Sequence, residues 1–151
     1  MLQQLDTADS VRREVAPRTA QKHKAEFGQF MTPSSVARFM ASLFPPSTLQ
    51  TCRLLDAGAG VGALSCAFLD RWVTGGFGFE SVEATAYEID EKLRGHLAQH
   101  LAGYSRVTPR LIAGDYIELA TAEGLQDRGY THAILNPPYK KINSQSDHRL
   151  A

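Results

Sequence analysis

The chain has 151 residues, of which 43% are hydrophobic and 21% are charged, with 16 basic side chains against 16 acidic ones. This composition predicts one globular domain, and the absence of a long apolar run argues against a secretory signal or a membrane span. The balanced charge argues against a free-standing nucleic-acid binder of high affinity, because such proteins carry a strong basic excess.

The first thirty residues are polar and predict a helical arm, followed by a domain over residues 31–151. The bases of this arm are interspersed with acids, which fits a solvated helix face and a functional basic patch equally well: Arg12, Arg13, Arg18, Lys22 and Lys24. Thr32 and Pro33 then predict the cap and the first residue of a helix. Its apolar positions recur at helical spacing: Val36, Phe39, Met40 and Leu43.

Downstream, short apolar runs alternate with longer amphipathic ones, which is typical of βαβ units in a parallel sheet. The patterns predict strands over 53–57, 83–89, 110–113 and 132–135, and helices over 63–72, 91–101 and 117–125. The predicted fold class is therefore α/β, a parallel sheet with flanking helices. The two cysteines match no metal or redox spacing, so we expect buried, reduced thiols in a cytoplasmic protein.

The first predicted strand ends in Asp56 and Ala57 and passes through Gly58, Gly60 and Gly62 into a helix. Such a turn lets a ligand touch the backbone, and it fits a nicotinamide site, a methyl-donor site or a plain tight turn. A carboxylate two residues before the first glycine would repel a pyrophosphate but suits a ligand with an ammonium and a sulfonium. Seven acids and one base between residues 56 and 91 strengthen this negative field, which favours S-adenosylmethionine.

The next two strand ends supply further acids. Because the carboxyl ends of neighbouring strands face one crevice, Glu88 is predicted to accept hydrogen bonds from ribose hydroxyls. Asp90 is either a second ligand or the cap of the following helix, and the cap is slightly favoured. After the third strand, Asp115 can accept a hydrogen bond from an adenine amino group, and we place Tyr116 beside it in the same site.

The fourth predicted strand ends in Asn136, Pro137, Pro138 and Tyr139. The prolines stiffen the loop, so that the Asn136 side chain and the Pro137 carbonyl can aim their oxygens at a ligand. An aromatic amine such as that of adenine is a poor nucleophile, and these two acceptors would hold both of its hydrogens while Tyr139 stacks on the base. The pattern predicts a catalytic amine-binding loop; in isolation it also fits a plain turn with a core tyrosine.

Together these motifs resemble the gamma-class DNA adenine-N6 methyltransferases of restriction-modification systems, over about residues 22–142. The resemblance implies a Rossmann-like methyltransferase fold that uses S-adenosylmethionine, with residues 31–151 forming part of the catalytic domain. It places the segment from Gly28 to Pro33 in an N-terminal cofactor motif, where Phe30 packs by the cofactor and Thr32 contacts its carboxylate. It supports the roles already given to the glycine turn, Glu88, Asp115 and the loop after Asn136.

The implied activity is site-specific methylation of an adenine that is flipped out of DNA, with no metal. Family members continue with three more strands and a target-recognition domain, so we expect a fragment, the product of a truncated gene or half of a split enzyme. Its fourth strand would then be an unpaired edge that favours self-association or a partner chain. Lys140 and Lys141 would approach DNA phosphate or be solvated. The alternatives are methylation of a protein glutamine or an RNA guanine, and a catalytically silent cofactor-binding module.

Overall fold

The computed structural model describes residues 5, 6, 8, 10–11, 31–122 and 129–136. Within these ranges no helix is long and apolar enough to span a bilayer. Helices and strands alternate along the chain in the order α1 (Ser34–Ser42), β1 (Thr51–Ala57), α2 (Ala63–Val73), β2 (Ser81–Tyr87), α3 (Glu91–Ala102), β3 (Val107–Ile112), α4 (Tyr116–Ala122) and β4 (His132–Ala133).

The four strands form one parallel sheet in the order β3-β2-β1-β4. Ala57 of β1 pairs with Tyr87 of β2, and Tyr87 pairs in turn with Ile112 of β3. The carboxyl ends of β1, β2 and β3 are therefore level with one another. β4 joins β1 through the pairs Leu54 with His132 and Leu55 with Ala133, so the chain after β4 leaves the sheet at the same edge.

The core is built from the central strands and the helix between them. β1 contributes Leu54 and Leu55, which are almost fully buried, as expected for a strand with neighbours on both sides. Helix α2 is apolar nearly all round and eight of its residues are buried, so it is an internal helix. The Phe68 ring of α2 stacks with two rings that follow this helix in the chain, those of Phe77 and Phe79.

Helix α1 differs from its prediction in two respects. Pro33 is its N-cap and no side chain caps it, so the prediction that Thr32 is the cap is wrong. The helix buries Ala37 and Ala41 against α2, because small side chains let two helices approach closely. Three of the four predicted apolar positions are instead exposed, at 42% to 65% of their surface: Val36, Phe39 and Leu43.

The described N-terminal residues are helical and pack on the core. The side chains of Leu5 and Ala8 are fully buried. The Leu5 backbone N–H donates to Asp70 Oδ2 at 3.2 Å, and Asp6 forms an ion pair with Arg38 of α1. The predicted basic patch of the arm, from Arg12 to Lys24, lies outside the described residues.

Candidate functional site

The glycine turn after β1 is pinned to the end of β2. The N–H groups of Gly58 and Ala59 both donate to the Tyr87 carbonyl at 2.9 Å. Gly58, Gly60 and Gly62 all have positive φ, at +76°, +59° and +95°, a backbone region that side chains disfavour. A Cβ at Gly58 or Gly60 would meet no atom within 4 Å, so the turn presents open backbone on which a ligand can lie.

The Glu88 carboxylate locks this turn to the second strand end. Its Oε1 accepts a hydrogen bond from the Gly60 N–H at 2.8 Å, and its Oε2 accepts one from the Asp90 N–H at 2.8 Å. Only 1% of Glu88 is exposed. Glu88 therefore has a structural role that the sequence did not reveal, because the partner N–H lies 28 residues away at Gly60.

Asp56 is a buried acid with one unsatisfied oxygen. Its Oδ2 accepts from the Ser65 hydroxyl at 2.6 Å, whereas Oδ1 is buried and has no hydrogen-bond partner among the described residues. Burial raises the pKa of Asp56 to about 7, although the bonds from Ser65 oppose this rise and the nearby charge of Glu88 adds to it. An unpaired buried acceptor is costly, so this position suits a cationic or hydrogen-donating ligand.

The two other predicted acids cap helices. Asp90 Oδ1 accepts from the Leu93 N–H at 2.9 Å, which confirms the favoured interpretation of Asp90 as a helix cap. Asp115 Oδ1 accepts from the N–H groups of Ile117 and Glu118 at 2.8 and 3.2 Å, at the start of α4. The Tyr116 ring packs edge-on against Tyr87, with 5.1 Å between the ring centroids.

Asn136 is the third residue after β4, at the carboxyl end of the sheet. The Ile134 N–H donates to the Leu55 carbonyl at 2.9 Å and fixes the chain just before it. The Asn136 side-chain Nδ2 donates to Thr32 Oγ1 at 3.3 Å, and only 7% of Thr32 is exposed. The structure thus brings together residues that the sequence had assigned to two separate motifs. The other predicted members of these motifs lie outside the described residues: Phe30, Pro137, Pro138 and Tyr139.

Two supporting residues were missed by sequence analysis. Ser65 lies in the first turn of α2 and holds Asp56, and its place soon after the glycine turn is a signal that could have been used. The His100 ring on α3 is buried, and its Nδ1 lies 2.7 Å from the Val61 carbonyl of the turn. Burial lowers the pKa of His100, which favours the neutral ring with a hydrogen on Nδ1. His100 shares a helical stripe with core residues and therefore looked structural.

The two cysteines have no assigned role at this site, although the Cys66 N–H donates to the Gly62 carbonyl at 2.8 Å. Both are buried and free, as predicted, and burial raises the pKa of Cys52 to about 11 and that of Cys66 to about 12. Their thiols therefore stay protonated at neutral pH.

The sequence of the chain is similar to those of two methyltransferases. The chain is 42% identical over 160 residues to Type II methyltransferase M.BsuBI of Bacillus subtilis, covering 99% of this chain and 31% of that protein. It is 34% identical over 152 residues to Type II methyltransferase M.PstI of Providencia stuartii, covering 93% of this chain and 29% of that protein. No protein-family model matches the chain.

A solved structure shares the fold. It is a modification subunit of a putative type I restriction enzyme from Vibrio vulnificus YJ016, with a TM-score of 0.60 and 17% identity, covering 93% of this chain and 30% of that one. The chain resembles the methyltransferases of restriction-modification systems. The comparisons thereby confirm the resemblance to these methyltransferases that the sequence motifs indicated, and they confirm the predicted Rossmann-like methyltransferase fold. The chain spans about a third of the length of these restriction-modification relatives.

Proposed function

We propose that this chain carries the cofactor site and the amine-binding residue of a DNA adenine methyltransferase that belongs to a restriction-modification system. The observation that carries the proposal is that the carboxyl ends of β1, β2 and β4 meet at the same end of the sheet. There the glycine turn, Asp56 and Glu88 lie at neighbouring strand ends, and Asn136 leaves the adjacent strand. A ligand in the crevice outside this edge would meet all of these groups, as ligands of open α/β sheets do.

The residues at this edge fit S-adenosylmethionine. Asp56 offers a buried oxygen without a partner, which the cofactor's ammonium would satisfy. The open backbone at Gly58 and Gly60, with Ala57 before it, leaves room for the methionine portion. We assign the ribose hydroxyls to Glu88, and the rest of the cofactor to four residues: Asp115 and Tyr116 for the adenine, and Phe30 and Thr32 at the N-terminal motif.

The acceptor amine would be held by the loop after β4. We propose that Asn136 Oδ1 and the Pro137 carbonyl accept its two hydrogens, that Pro138 keeps the loop stiff, and that Tyr139 stacks on the flipped base. When bound, S-adenosylmethionine supplies an electrophilic methyl group, whose C–S bond breaks as the C–N bond forms, so that S-adenosylhomocysteine leaves and the amine's proton passes to water. A location in the cytoplasm, where DNA is accessible, belongs to the same proposal.

The strand order favours a second candidate function. This candidate is a module that binds the cofactor but is silent until a partner completes it. Among the described residues β4 pairs with β1 alone and lies at an edge of the described sheet. We propose this edge as the contact for a partner chain or a second copy. Sedimentation across a concentration series tests the second copy directly.

Cofactor binding is tested first, by titration calorimetry of the chain with S-adenosylmethionine. We expect binding that Asp56→Ala weakens at least tenfold, because the buried cation would lose its counter-charge. Asp90→Ala is the matched control, since Asp90 caps α3 and is assigned no contact with the cofactor. Absence of binding at millimolar cofactor would contradict both candidate functions.

Methyl transfer is tested next with labelled cofactor and DNA, RNA or protein as the acceptor. We expect label in DNA adenine. We also expect Asn136→Ala to abolish transfer while the dissociation constant of the cofactor changes less than about threefold, a change in binding free energy no larger than that of one net hydrogen bond. Label in protein glutamine or RNA guanine would identify the alternative acceptors. Binding without transfer to any of them would favour the silent module.

A further inference from the structure

The Thr32 hydroxyl has been assigned only to the cofactor, but in the structure it contacts the amine-binding residue. Asn136 Nδ2 lies 3.3 Å from Thr32 Oγ1, and the two residues are 104 positions apart in the sequence. Thr32 is buried and Asn136 is half-buried, so water has only partial access to compete for the amide. We propose that Thr32 is a positioning residue that sets the orientation of the Asn136 side-chain amide. This inference rests on the proposed function of Asn136.

The chemistry of an amide explains why its orientation matters. The oxygen and the nitrogen of the Asn136 amide lie on opposite sides of Cγ, and only the oxygen can accept a hydrogen bond. If Nδ2 faced the substrate amine, two donors would meet and the amine would not be bound. With Nδ2 donating to Thr32, the oxygen is turned to the other side, where it can accept from an incoming amine.

Both partners are held by rigid elements. Thr32 directly precedes Pro33, the N-cap of α1, and α1 packs on the internal helix α2. The far end of α1 is fixed by Arg71, which donates to the Ala41 and Phe44 carbonyls at 2.7 and 2.6 Å. Asn136 follows β4, which is tied to β1 by the bond from Ile134 to Leu55. The contact therefore joins two fixed points, as a positioning contact must.

The first test uses nuclear magnetic resonance on the 15N-labelled chain without any substrate. The Asn136 side-chain amide is assigned by its absence from the spectrum of Asn136→Ala. We expect slow hydrogen exchange of this amide in the wild type and in Thr32→Ser, which keeps the hydroxyl, and at least tenfold faster exchange in Thr32→Val. Thr108→Val on the exposed face of β3 is the matched control and should leave the exchange unchanged. Fast exchange in the wild type would overturn the proposal, whether or not the variants fold.

The second test uses methyl transfer at saturating DNA. We expect Thr32→Val to lower kcat about tenfold, beside any rise in the KM for S-adenosylmethionine from its assigned cofactor contact, and Thr32→Ser to restore kcat. A raised KM with unchanged kcat would show that Thr32 serves the cofactor alone. Failure of Thr32→Ser to restore kcat would show that the methyl group of Thr32 matters instead of its hydroxyl. Either result overturns the proposal.

The two tests separate this inference from the proposed function. If the wild type transfers no methyl group, the proposed function fails for this chain and the exchange measurement alone decides the role of Thr32. If the wild type transfers methyl and the Asn136 amide exchanges rapidly, the proposed function stands and the role of Thr32 is refuted.

Discussion

The buried carboxyl group of Asp56 suits a ligand, but its burial lowers the stability of the folded protein. Burial raises the pKa of Asp56 to about 7, from 3.8 in an exposed chain. Between these values the folded protein binds a proton that the unfolded chain releases, so its stability falls as pH rises through that window. Above pH 7 the ionised carboxylate is buried without full compensation, and the cost is on the order of 2–4 kcal/mol.

We therefore expect Asp56→Asn to be more stable than the wild type at pH 8, with a difference that narrows toward pH 4. Urea unfolding at pH 8 and at pH 5 measures the difference in free energy of unfolding between the variant and the wild type at each pH. Asp115→Asn, at a half-exposed carboxyl, is the control and should show no such gain at pH 8. A lower stability of Asp56→Asn at pH 8 would mean that the Ser65 bond outweighs the burial of the charge.

Individual residues show what sequence can and cannot predict about the site. Glu88 and Asn136 were predicted to lie at the same end of the sheet because each follows an apolar strand, and the parallel pairing of these strands confirms that shared position. The role of Thr32 as a helix cap was wrong because its hydroxyl contacts Asn136 instead. Such a partner is invisible to a local pattern, since only the folded chain brings the two residues together.

At the scale of elements, the glycine turn and α3 depend on each other. A Cβ at Gly62 would lie 2.6 Å from Leu97 Cδ1 on α3, and the positive φ of Gly62 disfavours any side chain. We expect Gly62→Ala to lower the free energy of unfolding by about 2–4 kcal/mol, from backbone strain together with overpacking. Chemical denaturation measures this loss.

Gly95 provides the matched control within α3. It is exposed, and a Cβ there would meet no atom within 4 Å. Alanine at this position should raise the free energy of unfolding by about 0.5–1 kcal/mol, because it reduces the freedom of the unfolded chain and favours the helix. If Gly62→Ala were as stable as Gly95→Ala, the turn would not be packed against α3 as described.

The number and order of elements followed from periodicity, whereas their limits and faces did not. β3 begins at Val107, three residues before its prediction, and includes Pro109. A proline has no N–H to donate to a neighbouring strand, but β3 is at an edge of the described sheet, where a missing N–H is tolerated. In α1 the helical period was right, but the helix turns its alanines inward because α2 lies too close for larger side chains.

At the scale of the whole molecule, the sequence did not predict whether the N-terminal arm packs on the domain. Composition separates the first thirty residues from the rest because they are polar. Two apolar residues among them, Leu5 and Ala8, nevertheless belong to the same buried cluster as α2. Asp70 of α2 accepts bonds from both the Leu5 N–H and the Tyr104 hydroxyl, which ties the arm to α2 and to the chain after α3.

This arrangement predicts that the arm and the sheet unfold together. Leu5→Ala should lower the free energy of unfolding by about 2–5 kcal/mol, because Leu5 is completely buried and its removal leaves a cavity. Leu43→Ala is the matched control, since 65% of Leu43 is exposed and its loss should cost less than about 1 kcal/mol. Urea titrations followed by circular dichroism and by Trp72 fluorescence should give one coincident transition for the wild type. Equal effects of the two substitutions would instead show that the arm is a separate unit. Loss of the buried Leu5 side chain lowers the free energy of unfolding of the whole domain only if the arm and the domain share one core.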